Sequence, residues 1–217
     1  MAKKIRIKSS CINSSGIKWS EIKWSGVALS VFLGAMPFKA YSFDIAPDGI
    51  FVTGGKYIPN KADLTNARIA LRWDWNRDFI SHPNWKLDGY FDLGYSQWKS
   101  HLSAKDKPSP NGAKKAWQVG FAPVFRLSYQ SESAIAPFLD FGVGVSYQSK
   151  KNIEKKLKSP INMGGHTQFE TRAMVGIQFG AQKNYEVAYG WFHYSNAGLH
   201  PQNEGLDFQM LSLGMKW

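Results

Sequence analysis

From residue 50 onward the chain alternates. Apolar and aromatic residues recur at every second position through segments of roughly ten to fifteen residues, and loops rich in Gly, Pro, Asn, Ser and Lys separate them. A period of two is the signature of a strand with two unlike faces. Eight such segments follow one another: 50–57, 64–75, 85–98, 115–130, 136–149, 167–181, 185–195 and 207–217. In the second, Ala67, Ile69, Leu71, Trp73 and Trp75 oppose Arg68, Arg72 and Asp74. In the fourth, Trp117, Val119, Phe121, Phe125, Leu127 and Tyr129 oppose Gln118, Gly120, Arg126 and Ser128. In the sixth, Phe169, Ala173, Val175, Ile177 and Phe179 oppose Gln168, Glu170, Arg172 and Gln178.

The polar face decides the class. A soluble barrel or sandwich turns its polar face to water and fills it with Lys, Glu and Thr. Here that face is Gly, Ser and Gln with scattered charges of both signs, and the lysines concentrate in the loops. Such a face suits a cramped lumen in which Arg126, Arg172, Asp140 and Glu170 pair. The apolar face then meets lipid. Aromatics near the strand ends, among them Trp73, Trp85, Trp98, Trp117, Tyr147 and Trp217, match interfacial girdles. A tilted membrane strand needs ~9–11 residues, and closure satisfies every backbone group without water. The expected fold is all-β, an eight-stranded antiparallel transmembrane β-barrel.

Connection lengths agree. With both termini on the periplasmic side, the long connections 99–114, 150–166 and 196–206 fall outside, and 131–135 and 182–184 are short periplasmic turns. Connection 76–84 is longer than this scheme expects. A barrel of eight strands has an interior filled by side chains, which argues against a pore.

Residues 1–42 read as a secretory leader: Lys3, Lys4, Arg6, Lys8, Lys18 and Lys23 precede a short apolar run over 27–36, and Ala40-Tyr41-Ser42 is a small-x-small cleavage signal. The run is too short for a membrane helix, which needs ~20 residues. The leader holds seven Lys/Arg and one Glu, so the formal charge of +11 falls to +5 for residues 43–217, which removes most of the support for a nucleic-acid partner. The single cysteine, Cys11, belongs to the leader, so the remainder has neither a disulfide framework nor a thiolate metal site.

Chemistry collects in the last two segments. Along 185–195 the apolar face runs Tyr185, Val187, Tyr189, Trp191, then His193 and Ser195. Read backward from Trp217, the facing strand gives Met215, Leu213, Leu211, Gln209 and Asp207. A nucleophile, a base and an acid thus fall on lipid-facing positions at one end of a hairpin. The Cβ atoms of His193 and Ser195 stand ~7 Å apart by strand geometry. Serine becomes nucleophilic when a base lies within hydrogen-bond reach, and a carboxylate that holds the other imidazole nitrogen completes a triad recognised by geometry, not by order. The side-chain amide of Asn196, or the backbone N–H groups of Ala197 and Gly198, would serve a developing oxyanion. There is no G-x-S-x-G elbow. Glu204 is the alternative acid.

The run His193-Tyr194-Ser195-Asn196-Ala197-Gly198, followed by Pro201, Asn203, Gly205 and a carboxylate at 207, resembles the active-site segment of the outer-membrane lipid A 3-O-deacylases, the PagL family. The resemblance implies an eight-stranded barrel that hydrolyses the ester-linked 3-hydroxyacyl chain at position 3 of lipid A. It implies Ser195 as nucleophile, His193 as base, Asp207 as acid and Asn196 as oxyanion donor, with no metal or other cofactor. The family carries Glu at the acid position, so Asp207, one methylene shorter, must approach the ring more closely. Lipid A and the outer membrane are the implied partners, and a homodimer is left open. His82, His101, His166 and His200 receive no role. The loop lysines at 105, 107, 114 and 115 and at 150, 151, 155, 156 and 158 are either a solvated face or an attraction for lipid A phosphates. The rival readings are a structural or adhesive barrel without activity and an acyltransferase acting on the same lipid.

Overall fold

The computed structural model describes residues 45–217, Ser131 and Leu157 excepted. The expected leader and its cleavage site lie outside the described residues. Eight long strands make the barrel: β1 (Gly49–Tyr57), β2 (Leu64–Asp74), β4 (Trp85–Ser100), β5 (Lys115–Tyr129), β6 (Ile135–Gln148), β9 (Thr167–Phe179), β10 (Tyr185–Ser195) and β11 (Leu206–Lys216). Each pairs antiparallel with its neighbour in the order β2-β1-β11-β10-β9-β6-β5-β4, and a β2–β4 pairing closes the ring. All eight segments read from the sequence are present. Among the described residues no helix is long and apolar enough to cross a membrane; the crossing elements are strands.

Three short strands sit in the connections. β3 (Ile80–His82) folds back on β4, with His82 opposite Trp85. It accounts for the long connection at 76–84, because the hairpin continues beyond the barrel wall. β7 (Asn152–Ile153) and β8 (Ile161–Asn162) form a small hairpin within the connection at 149–166. The connections at 58–63, 101–114, 149–166 and 196–205 share one end, here the loop end; 130–134, 180–184 and both ends of the described chain share the other, the turn end.

The alternation sorts the side chains as expected. Outward residues are apolar and exposed; Val52 at 61 % and Phe141 at 55 % would be costly in water and fit a lipid solvent. The lumen holds charge in its middle. Arg126 Nε donates to Asp140 Oδ1 at 2.7 Å and Nη2 to Glu186 Oε2 at 2.9 Å. Arg172 Nη2 donates to Asp92 Oδ1 at 3.0 Å and also bonds Glu170. Asp92 further receives Arg68 and Arg72. The four residues expected to pair do so, as Arg126 with Asp140 and Arg172 with Glu170, and because every charge here is matched, burial is tolerated. Gly94 makes room for this network: a Cβ there would lie 2.1 Å from Arg68 Cζ.

Toward the loop end the lumen changes character. Tyr57, Leu64, Trp98, Tyr194, Leu206, Phe208 and Met210 form an apolar plug, and Ala62, Ile153, Ile161 and Met163 from the loops close over it. Trp98 packs at 5.3 Å from Tyr194 and 5.8 Å from Phe208, centroid to centroid. A lumen of Gly, Ser, Gln and scattered charges was expected, with Trp98 read as a girdle aromatic; the plug differs because Trp98, Phe192, Tyr194, Leu206 and Phe208 point inward and are buried. Fully burying a side chain of this size contributes about 1.5–3 kcal/mol, so the plug fixes the backbone of β10 and β11 at this end. The residues between them in sequence, His193 and Asp207, are thereby held facing outward.

Candidate active site

β10 and β11 set the register that makes the site. His193 and Asp207 are direct cross-strand partners. The Asp207 carbonyl turns toward β1, where it accepts the Ile58 N–H at 2.9 Å. A strand residue's N–H and C=O point the same way, so toward β10 Asp207 and His193 form a non-hydrogen-bonded pair, the kind whose side chains approach most closely. His193 Nδ1 lies 2.8 Å from Asp207 Oδ1. The shorter acid reaches the ring without strain, since the two side chains rise from facing positions.

A third side chain joins them. Trp191 Nε1–H donates to the same Asp207 Oδ1 at 3.0 Å, and its ring stacks on the imidazole at 5.4 Å and 24°. Trp191 was read as one more lipid-facing aromatic. Its position two residues before His193 on the same face was the available signal. The carboxylate is thus held by two N–H donors, and the imidazole plane is fixed by a ring on one side. Both members of the pair stay open to the surroundings, with side chains 30 % and 33 % exposed.

Ser195 closes β10, half-buried, opposite Phe169 of β9. Among the described residues its hydroxyl makes no hydrogen bond with His193. Catalytic hydrogen bonds are commonly long before substrate arrives. The strand spacing of ~7 Å between their Cβ atoms leaves the hydroxyl within reach of Nε2.

The chain then turns sharply. Ala197 and Gly198 have φ of +50° and +86°, and Leu199 N–H returns to the Asn196 carbonyl at 3.0 Å. Positive φ at both central residues is the type I′ pattern, which favours glycine. Asn196 is fully buried and builds this loop. Its Nδ2 donates to Met163 O at 2.9 Å and to Gln202 O at 2.6 Å, and its Oδ1 accepts Gly198 N–H at 2.9 Å. Both amide hydrogens are therefore committed within the loop, and the Gly198 N–H is committed to Asn196. The oxyanion duty expected of the Asn196 side chain has no free donor in this arrangement. Among the described residues the backbone N–H of Ala197, two residues after Ser195, makes no hydrogen bond, and neither does the side-chain NH2 of Asn203, whose Oδ1 accepts the Asn196 N–H at 2.9 Å.

Glu204 does not compete for the histidine. Its carboxylate bonds Lys155 Nζ at 2.7 Å and the Asn162 N–H at 2.7 Å, and lies 3.8 Å from Lys61. Burial pushes this carboxyl up, but the Lys155 and Asn162 hydrogen bonds outweigh it, and the group sits below the usual glutamate range. Glu204 thus staples the 196–205 loop to its neighbours. Gly205 follows with φ +64°; a Cβ there would come within 3.1 Å of His193 Cε1. The remaining histidines stand apart: His166 bonds Gln148 O, His101 bonds Thr65, His82 accepts Asn84 N–H, and His200 is exposed against Gly165.

Below Trp191 an open apolar trough of about 540 Å³ runs down the outer wall, lined by Ile58, Leu139, Phe141, Val175, Tyr189 and Trp191. The arrangement combines an oriented imidazole, a neighbouring hydroxyl, free N–H donors and a greasy trough on one surface.

Comparisons with known proteins place this geometry. Residues 65–216 match the family model described as Lipid A 3-O-deacylase (PagL). The chain is 31% identical to the lipid A deacylase PagL of Pseudomonas aeruginosa over 140 residues, covering 64% of this chain and 71% of that protein. It is 26% identical to the lipid A deacylase PagL of Bordetella bronchiseptica over 151 residues, covering 67% and 73%. The crystal structure of the outer membrane enzyme PagL superposes with a TM-score of 0.65 at 26% identity, over 78% of this chain and 99% of that one.

Proposed function

The chain belongs to the lipid A 3-O-deacylase (PagL) family of outer-membrane β-barrels, and from that premise we propose that it removes the ester-linked 3-hydroxyacyl chain at position 3 of lipid A with a serine nucleophile working in the outer leaflet. The observation that carries the reading is the His193 Nδ1–Asp207 Oδ1 contact of 2.8 Å on the lipid-facing wall, one strand step from Ser195.

The chemistry follows from these atoms. Asp207 accepts the Nδ1–H, which leaves Nε2 as the basic nitrogen. As Ser195 Oγ attacks the ester carbonyl, Nε2 takes its proton, and the imidazolium is stabilised by the adjacent carboxylate. The carbonyl oxygen becomes an oxyanion, received by the Ala197 N–H and the Asn203 NH2. The His193 Nε2–H then protonates the departing sugar oxygen, leaving an acyl-serine. A water molecule, deprotonated by Nε2, attacks this ester; the acyl–Oγ bond breaks as Nε2–H returns a proton to Ser195 Oγ, and the 3-hydroxy fatty acid is freed. Because the site opens sideways, substrate arrives by lateral diffusion and keeps its chains in the bilayer. The trough beneath Trp191 suits the acyl chain under attack.

Mass spectrometry of lipid A incubated with detergent-refolded protein tests the reading, wild type beside Ser195→Ala. Loss of one hydroxyacyl chain with wild type alone is expected. An unchanged mass with folded wild type would favour a structural barrel, and a gain of one chain would mark an acyltransferase.

A further inference from the structure

The outer wall beside the site carries a row of cations. Lys56 of β1 is paired with Thr65 of β2, Thr65 with Lys99 of β4, and Lys99 with Lys115 of β5. All three lysines are outward and exposed, at the loop end of their strands. Two of them were not expected together on the wall: the sequence reading ended the third strand at residue 98, whereas β4 runs on to Ser100. The row also takes in His101, whose Nε2 lies 2.9 Å from Thr65 Oγ1. On its other side Lys56 is paired with Gln209, and Gln209 with Trp191. The cations therefore begin one strand away from the site.

Three features argue that this row receives an anion. Among the described residues none of the three lysines is ion-paired. Lys99 and Lys115 are directly opposed, and like charges facing each other across a strand pair weaken it. The row is also one-sided. On the loop-end half of β6 and β9 the outward strand residues are Val145, Tyr147, Thr167 and Phe169, with no cation among them, and Lys150 and Lys151 lie beyond β6 in the connection. A belt serving only to anchor the barrel would run all round.

The surface just below is shaped for a chain. The next row toward the turn end is Gly54, Ala67, Gln97 and Trp117, and the one after it is Val52, Ile69, Tyr95 and Val119. Gly54 has open space where a Cβ would project. Gly54 and Ala67 under the Lys56 end of the cationic row, with Val52 and Ile69 beneath them, fit a lipid with its charged group up and its chain down. Neighbouring strands stand ~4.8 Å apart, so Lys56 and Lys99 are ~10 Å apart across β2. Lysine stems lie along apolar surface while their amines reach the interface.

We propose that Lys56, Lys99 and Lys115 form a phosphate-binding subsite that seats the phosphorylated head group of the lipid A substrate beside Ser195. The inference rests on the deacylase reading and adds the group by which the enzyme holds its substrate. The subsite acts on binding and leaves the chemical step untouched.

The test is the triple variant Lys56→Gln, Lys99→Gln, Lys115→Gln, with the triple Lys→Arg as its charged control. Kinetics are measured in detergent micelles on phosphorylated lipid A and on the same lipid after removal of its phosphates. A rise in KM of about tenfold on the phosphorylated lipid is expected, with kcat within twofold, no rise on the dephosphorylated lipid, and near-wild-type behaviour of the arginine variant. An unchanged KM would overturn the proposal, as would an equal rise on both lipids or an arginine variant as weak as the glutamine one. Added inorganic phosphate at constant ionic strength should compete far more weakly than the phosphorylated lipid; competition at comparable concentration would make this a site for free phosphate and overturn the lipid reading. Binding of the same two lipids is also measured by tryptophan fluorescence in a Ser195→Ala background. Failure of wild type to deacylate would then count against the proposed function, and loss of phosphate-dependent binding on lysine replacement would still support the subsite.

Discussion

Asp207→Asn separates two contributions that most substitutions remove together. In a triad the acid both orients the imidazole and stabilises its charged form. An asparagine usually presents either oxygen or NH2 to the ring, and the latter imposes the wrong tautomer. Here two N–H donors, His193 Nδ1 and Trp191 Nε1, converge on one oxygen, Oδ1, at 2.8 and 3.0 Å. Only the amide oxygen satisfies both, so the tautomer survives and the charge alone is lost. Two opposite unit charges about 4 Å apart at an effective dielectric near 20 attract by about 4 kcal/mol. The two side chains are 30 % and 33 % exposed, and solvent screens the pair. Discounting for that leaves about 2–3 kcal/mol in the transition state, a fall in kcat/KM of about 30- to 150-fold. The assay is fatty-acid release from lipid A in micelles at saturating and limiting substrate. Asp207→Ala, which loses orientation as well, should fall further. The double variant Trp191→Phe, Asp207→Asn should fall by more than the product of the singles, because nothing then holds the amide oxygen toward the ring. A loss below about threefold would remove Asp207 from the triad. A loss beyond about ten-thousandfold would mean the amide had turned its NH2 to the ring, as the wrong tautomer costs roughly that much, and the shared-oxygen argument would be wrong.

Trp191→Phe keeps the stack on His193 but loses the hydrogen bond to Asp207; a hydrogen bond to a charged group contributes about 1.5–3 kcal/mol when buried, and at this open site kcat should fall by about tenfold or less with KM nearly unchanged, as steady-state kinetics would read. Glu204 has its carboxyl below the ordinary value, so its contribution is complete above the unfolded pKa of about 4.3 and disappears as pH falls through the folded one. Protease cleavage within 196–205 should therefore be slow and constant from neutral pH down to about 5 and rise below it, and Glu204→Gln should raise cleavage at neutral pH and flatten the profile. Asp92 is fully buried and receives Arg68, Arg72 and Arg172; Asp92→Asn leaves the arginines undercompensated and should lower barrel stability by about 3–5 kcal/mol in urea unfolding, whereas a change below about 1 kcal/mol would deny the network its structural role.

Much of this was legible because a barrel wall imposes a strict period of two. Rows such as Val143, Val145 and Tyr147 against Gly142, Gly144 and Ser146 read as a strand with two unlike faces, and the same parity put His193, Ser195 and Asp207 on one face before any register was known. What stayed hidden depends on contacts between distant segments. The plug at the loop end draws on Trp98, Tyr194 and Phe208 from three strands; Tyr194 and Phe208 alone look like lapses in the polar face, and Trp98 at a strand end looks like a girdle aromatic. β7 and β8 have two residues each, too short for any periodicity. Asn196 was read as a donor to substrate because it follows the expected nucleophile Ser195; its partners Met163 and Gln202 are loop carbonyls that no local pattern reveals. Glu204 lay close enough in sequence to compete with Asp207, and only the placement of Lys155 and the Asn162 N–H takes it away from the histidine.

The central claim is a serine nucleophile on the lipid-facing wall, and a long-chain p-nitrophenyl alkylphosphonate tests it most directly. Refolded protein in micelles is treated with the reagent, digested, and mapped by peptide mass. One phosphonyl adduct on Ser195 is expected, slowed at least a hundredfold by His193→Ala and blocked by prior incubation with excess lipid A. No adduct on a folded, lipid A-hydrolysing protein, or an adduct on another residue, would contradict the account and place the chemistry elsewhere.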